Sequence, residues 1–299
     1  MGARFCGNEG PRRKVARMAK APHGAFPPAP PVAPHPVRQK DARRGRLRHA
    51  RPWTGEGTAR MMQKEVTMFE ITLAGPGRNA LGMHVMETVL AKLDEGRGAP
   101  LLLTGGGPAF SAGLNLKEVA AFDLEAAEKF LAVLERMVDA LYRYPGPTVA
   151  LVNGHAIAGG CVLALACDAR VAANVQDARI GLNEVALGLR FPPSILELAR
   201  RRVPPQHLET VVLGAGLHSP DEALRLGLVD YVVDDARAQA ESTLRALATH
   251  PPAAYADTKR ALRSPLVGRP DEIDAFRASG LLSWVSPELK TAIAKILAR

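Results

Sequence analysis

Phe110-Ser111-Ala112-Gly113-Leu114-Asn115-Leu116, read together with Ala158-Gly159-Gly160-Cys161, decides the fold of this chain. Each segment is a glycine-containing turn. Each closes a strand-like apolar run, residues 101–104 in one case and 148–152 in the other, and opens a helix-like run. The first N–H groups of a helix have no partner within it and lie at the positive end of its dipole, so each turn can present free donors to an anion. Glycine at 159 lets a ligand approach the backbone closely. Two such turns facing one another make an oxyanion hole, with the Leu114 and Gly159 amides as its donors.

The strand-to-helix rhythm continues in both directions. Residues 66–73 have strand character, 83–94 can form an amphipathic helix, and 100–104 form a short buried-type strand. A long helix is expected over 124–144, where Phe130, Leu131, Leu134, Met137, Val138 and Leu141 recur at helical spacing. Strand 148–152, helix 161–167 and strand 169–173 follow; a helix from Asp221 to near Gly227 leads to strand 229–233, and residues 236–299 are helical in pattern. Strands alternating with covering helices indicate an α/β protein.

The 299-residue length and 47% apolar content allow a sizeable core. The longest apolar stretch, 149–166, is interrupted by Asn153, Gly154, His155 and a glycine pair and is too broken to cross a bilayer. Three cysteines, Cys6, Cys161 and Cys167, without CxxC spacing suggest neither a disulfide framework nor a metal site, so a reducing, cytoplasmic setting is expected. The net charge of +9 is unevenly placed: residues 1–60 hold 14 Lys and Arg against 3 Asp and Glu, and the remainder is close to neutral. That segment also holds nine prolines, a composition that cannot offset its ordering entropy, and disorder is expected there. A start at Met61, Met62 or Met68 is the first explanation of the extension. An Arg-rich mitochondrial or other targeting peptide is the second, and a nucleic-acid-binding arm the least favoured, because no aromatic platform accompanies Arg43-Arg44-Gly45-Arg46.

Together with Gly181-Leu182-Asn183-Glu184, the two glycine turns resemble the crotonase superfamily of enoyl-CoA hydratases and isomerases, from about Met68 to Arg299. The resemblance implies a spiral of ββα units with a helical C-terminal region. It divides the chain into a basic extension (1–62), a core carrying the site (63–235) and a helical region for oligomer contacts (236–299), and it implies a homotrimer or hexamer. It also implies that the Leu114 and Gly159 amides hold a thioester carbonyl and that Glu184 is the catalytic base, set among Leu182, Val185, Ala186 and Leu187. Apolar surroundings raise the pKa of a carboxylate toward the range a base at neutral pH requires.

Valine at 162 is the main departure. Hydratases of the superfamily carry a second glutamate directly after the Gly-Gly-Cys turn, and Val162 can neither ionise nor hydrogen-bond. The chain is in this respect similar to mitochondrial-type Δ3,Δ2-enoyl-CoA isomerases, as it is in Leu114, in Ala158 and in the Gly181-Leu182-Asn183-Glu184 motif. Asn115, where an aspartate is usual, and a short segment before Leu101 depart from the pattern. The expected reaction moves the double bond of a 3-enoyl-CoA to position 2, with no metal or redox cofactor and CoA as part of the substrate. Hydration, or another reaction of CoA thioesters, is the alternative; a non-catalytic scaffold with a nucleic-acid-binding tail is the alternative from another class. Expected substrate and CoA contacts are Ser111, Ala112, Lys117 and Phe191, with Lys259 and Arg260 as further candidates for the CoA phosphates. Ser111 has no histidine and acid partners in sequence context and is a turn residue rather than a nucleophile. His155 reads as structural, Cys161 and Cys167 as core packing, and Gly105-Gly106-Gly107 lacks the Gly-Lys-Ser/Thr of a P-loop.

Overall fold

Two parallel sheets are wound together. In the computed structural model, which describes residues 67–298, the larger sheet has the order β1 (Phe69–Leu73), β2 (Leu101–Gly105), β4 (Thr148–Val152), β6 (Ala169–Ala173), β8 (Tyr231–Val233). The smaller sheet has β3 (Ala109–Ser111), β5 (His155–Ile157) and β7 (Ile180–Gly181). Each turn of the spiral gives one strand to each sheet before a helix returns the chain: β2 then β3, β4 then β5, β6 then β7. The expected start of β1 at residue 66, the extension over 1–62, its proposed start sites and Cys6 lie outside the described residues.

The strands of the larger sheet read as continuous apolar runs because both faces are covered. On β2, Leu101 and Leu103 enter the main core while Leu102 joins Val149, Leu151 and Val171 in a second cluster on the opposite face. That second cluster is closed by Ala236, Ala240 and Leu244 of the helix Ala236–Ala248. The boundary expected at 235/236 therefore does not separate two units; the first helix of the C-terminal region completes the sheet's own core. In the helix Leu124–Tyr142 the six apolar residues at helical spacing are all buried, and Asp123 caps its start by accepting from the Ala126 N–H at 2.8 Å.

Asp168, just before β6, ties the C-terminal helices to the sheet. Its carboxylate accepts from the Thr148 N–H, the Tyr255 hydroxyl and Lys259 Nζ at 2.8, 2.8 and 2.9 Å, and Arg263 lies 2.8 Å from its other oxygen. Burial lowers the Lys259 pKa to about 8 against the pull of Asp168. Lys259 is thus a buried structural cation and not a phosphate contact, and Arg260 is an exposed partner of Asp257. Asp168→Ala would leave Lys259 and Arg263 buried without a counter-charge, and a loss of about 3–5 kcal/mol is expected, read as a lowered denaturant midpoint. Among the described residues, no helix is long and apolar enough to cross a membrane.

Candidate active site

Strands β3 and β5 lie side by side, with Ala109 opposite His155 and Ser111 opposite Ala156. The two glycine turns leave these strands at the same end and so meet, although about 45 residues separate them in sequence. They follow the short second strand of each unit rather than the longer strands over 101–104 and 148–152. Their contact is backbone on backbone. A Cβ at Gly113, where φ is +90°, would lie 2.7 Å from Ile157 O and 3.5 Å from Gly159 N, and one at Gly160 would lie 2.5 Å from Ser111 O. Only glycine allows this approach.

Gly159 begins the fully buried helix Gly159–Ala166, preceded by Ala158 at φ +48°. Its N–H is one of the four that a helix start leaves without an intrahelical partner. Leu114 forms an isolated parallel bridge with Leu81: the Leu81 N–H donates to Gly113 O at 2.8 Å and the Asn115 N–H donates to Leu81 O at 2.9 Å. The bridge uses the groups on either side of Leu114 and turns the Leu114 N–H away from Leu81. Among the described residues neither the Leu114 nor the Gly159 N–H has a backbone acceptor in a turn, loop or cap.

A largely apolar cavity of about 620 Å³ lies over these turns, walled by Leu114, Ala158, Leu187, Leu189, Leu217 and Glu184 among others. Glu184 is the one carboxylate on its wall among the described residues. Its side chain is buried, with Oε2 lacking a hydrogen-bond partner among the described residues, and desolvation raises its pKa from 4.5 to about 7. Glu184 is held just after β7 because its carbonyl accepts from the N–H groups of Leu187 and Leu189, both at 3.0 Å. Asn183, also on the wall, leaves Oδ1 buried without a partner among the described residues. Cys161 lies close enough to feel the Glu184 charge, and burial first and that charge second push its thiol up to about 12. A protonated thiol of this kind is not a nucleophile.

Ala112 and Lys117 line the cavity, as do Leu114, Ala158 and Glu184. Ser111 does not. It is fully buried, its hydroxyl donates to Asn79 O at 2.8 Å and accepts from the Gly113 N–H at 3.2 Å, so it braces the turn from beneath. Phe191 packs against the main core and is likewise absent from the cavity wall.

Four contributors escaped the sequence reading. Asn79, buried at φ +56°, donates its amide to the carbonyls of Gly106 and Ala109 at 2.8 and 2.7 Å and so fixes the loop under the turn. An asparagine between Arg78 and Ala80 was the available signal, because asparagine tolerates positive φ. Arg78 stands on the cavity wall. Ile296 and Leu297, from the helix Pro287–Leu297, also reach the wall, and nothing in their local pattern separates them from an ordinary amphipathic helix.

Leu114 and Glu184 share the wall of this cavity, whereas Gly159 stands just behind it, next to Ala158 of the wall. An amide and a buried carboxylate on one apolar wall can hold a carbonyl oxygen while a proton leaves the adjacent carbon. The relatives are named as enoyl-CoA hydratases and isomerases. The model of the enoyl-CoA hydratase/isomerase family matches residues 63–279. "Probable enoyl-CoA hydratase EchA17" of Mycobacterium bovis is 33% identical over 195 residues, covering 63% of this chain and 74% of its own length. "Enoyl-CoA isomerase/hydratase fer4" of Mycosarcoma maydis is 32% identical over 178 residues, 55% of this chain and 65% of its own. The crystal structure of human mitochondrial Δ3-Δ2-enoyl-CoA isomerase matches with a TM-score of 0.69 at 25% identity, over 78% of this chain and 93% of the human one. The chain belongs to the enoyl-CoA hydratase/isomerase family, the crotonases, and is an enzyme of that family.

Proposed function

We propose that the enzyme shifts the double bond of a 3-enoyl-CoA to give the 2-trans-enoyl-CoA. The observation that carries this reading is that Glu184 is the one carboxylate on the cavity wall among the described residues. Val162, at the position of the second hydratase glutamate, is 3% exposed and packs in the core. Adding water across a double bond requires a base for the water and an acid for the carbon. Moving a proton along the same face requires one group that takes it and gives it back.

In the proposed reaction the thioester oxygen accepts from the Leu114 and Gly159 N–H groups. The ionised Glu184 carboxylate takes a proton from C2, and the electron pair of that C–H bond spreads over C2, C3, C4 and the oxygen as a dienolate. Protonated Glu184 then returns the proton to C4, leaving the double bond between C2 and C3. No metal or redox cofactor enters this scheme.

Supplying purified protein with a 3-enoyl-CoA and, separately, a 2-enoyl-CoA tests the reading, with products separated by chromatography and weighed by mass. Isomerisation is expected to exceed hydration by about 10²-fold or more, the usual worth of a missing acid–base group. Hydration at the same rate would overturn it. The pH profile gives a second check. Glu184 must begin ionised, so kcat/KM for isomerisation is expected to rise with pH, with its midpoint at the pKa of about 7, and to level off above it. A profile flat from pH 5 to 9 would remove a raised carboxylate from the rate-limiting step.

A further inference from the structure

Leu114, Asn115 and Lys117 line the active-site cavity, and Glu118 does not. Its carboxylate nonetheless joins two elements that meet at the Leu114 turn. Oε1 accepts from the Asn115 side-chain amide at 2.8 Å, and Oε2 accepts from the Met83 backbone N–H at 3.0 Å. Met83 opens the helix Met83–Gly96, whose cap position is Gly82, a residue with no side chain to offer that N–H. Glu118 supplies the missing cap from a distant part of the chain. A Cβ on Gly82 would collide with Glu118 Oε1, so the glycine makes the space that the carboxylate fills.

The Leu114 N–H belongs to the same peptide unit as the Gly113 carbonyl and points the opposite way. Its direction is therefore set by the Leu81 N–H, which holds Gly113 O at 2.8 Å. Leu81 lies two residues before Met83, and the Asn115 N–H grips Leu81 O at 2.9 Å. Asn115 is held a second time through its side chain, to Met83 by way of Glu118. One carboxylate thus closes the open end of the Leu81 bridge. A carboxylate only accepts, so the donor facing Glu118 must come from position 115, where this chain has asparagine instead of the usual aspartate.

We propose that Glu118 is a positioning residue for the reaction, a role that rests on the reading of the Leu114 amide as a donor to an acyl-CoA thioester. With Asn115 it clamps the start of the helix Met83–Gly96 to the turn and holds the Leu114 N–H at the angle from which it donates to the thioester oxygen.

Exchanging the polarity of the clamp tests this. Glu118→Gln keeps the shape but sets an NH2 group against one of two donors, and Asn115→Asp sets two carboxylates face to face. In the double variant the new glutamine donates to the new aspartate and still accepts from the Met83 N–H, so both bonds return reversed. Each single substitution is expected to lower kcat for isomerisation about tenfold, less than outright loss of an oxyanion donor, with KM within about twofold. The double variant should return to within about threefold of the unsubstituted enzyme. Gly82→Ala, which displaces the carboxylate without altering it, should lower kcat as Glu118→Gln does.

Infrared difference spectra of a bound 2-enoyl-CoA, labelled with carbon-13 at the thioester carbonyl, give a readout that a purely structural role would not move. Hydrogen bonding lowers the carbonyl stretch; the band should shift back toward its free position in each single variant and return in the double. Single variants whose kcat and carbonyl band match the unsubstituted enzyme overturn the proposal, even if their denaturant midpoints are lower. So does a double variant as slow as the two single effects multiplied, the result expected if the new carboxylate acted on the substrate directly from the cavity wall. If the band of the unsubstituted protein lay at its free position, the reading of Leu114 as a thioester donor would itself fall, a result distinct from variants that leave a lowered band unchanged.

Discussion

Glu184→Gln is expected to lower isomerase turnover by about 10⁴-fold, the upper range for loss of a positioned acid–base group, while leaving CoA-thioester binding in place. The amide is nearly the same shape and enters the same apolar wall, so the cavity survives and the proton acceptor does not. The same substitution is expected to stabilise the protein above neutral pH. In the unfolded chain Glu184 titrates near 4.5, and in the folded chain near 7, because burial penalises the charge. Between these values the native state holds a proton that the unfolded state has released. Stability is therefore undiminished below pH 4.5 and falls as pH rises through 7, by about 3 kcal/mol in all for a shift of this size. Glutamine does not titrate, so Glu184→Gln and the unsubstituted protein should have similar denaturant midpoints at pH 4 and diverge by pH 8. An unchanged turnover number would remove Glu184 from the chemistry, and a gap that does not vary with pH would show that burial does not penalise the carboxylate.

The parts of this site that sequence reveals are those in which a residue type is forced by contact. Gly113 and Gly160 are glycines because a Cβ at either would collide with the backbone of the facing turn. Their pairing with a glutamate after a Gly-Leu-Asn run is what singles out Leu114, Gly159 and Glu184 in the sequence, and of these Leu114 and Glu184 stand on the cavity wall. The long helix over 124–142 was legible because six apolar residues repeat at its period. The strands β3, β5 and β7 were not, since segments of two or three residues hold too few alternations to show a period. For the same reason the turns were attached to the wrong strands. Asn79 and Ser111 were missed or misplaced because their work is to hold backbone carbonyls and amides at particular angles, which no side-chain pattern records. Ile296 and Leu297 reach the cavity only through the long-range return of the final helix, and Phe191 packs against the main core.

Gly159→Val is expected to reduce turnover by about 10²- to 10³-fold, the usual effect of losing one oxyanion donor, with a smaller effect on folding. The reason differs from simple obstruction of the thioester oxygen. A Cβ at Gly159 would lie 3.0 Å from Leu114 Cδ2 and 3.2 Å from Leu81 Cδ1, so the added side chain pushes on the residue that carries the second donor and on its bridge partner. Both Leu114 and Leu81 can retreat by rotating side chains, and crowding of that kind in a packed region costs about 1–3 kcal/mol. The Leu114 amide has less freedom than those side chains, because it is carried between the two backbone hydrogen bonds of the Leu81 bridge, and a valine at 159 crowds both residues of that bridge. Gly160→Ala supplies the contrast: its Cβ would meet Ser111 O at 2.5 Å and Ser111 Cβ at 2.9 Å, a backbone contact that can be relieved only by separating the turns. Stability should therefore fall further in Gly160→Ala than in Gly159→Val, despite the smaller side chain, while Gly159→Val should lose activity at temperatures where it remains folded. Turnover and the denaturant midpoint, measured on the same preparations, decide the matter. A folded Gly159→Val enzyme with near-normal isomerase turnover would mean that the carbonyl is held elsewhere than between the two glycine turns.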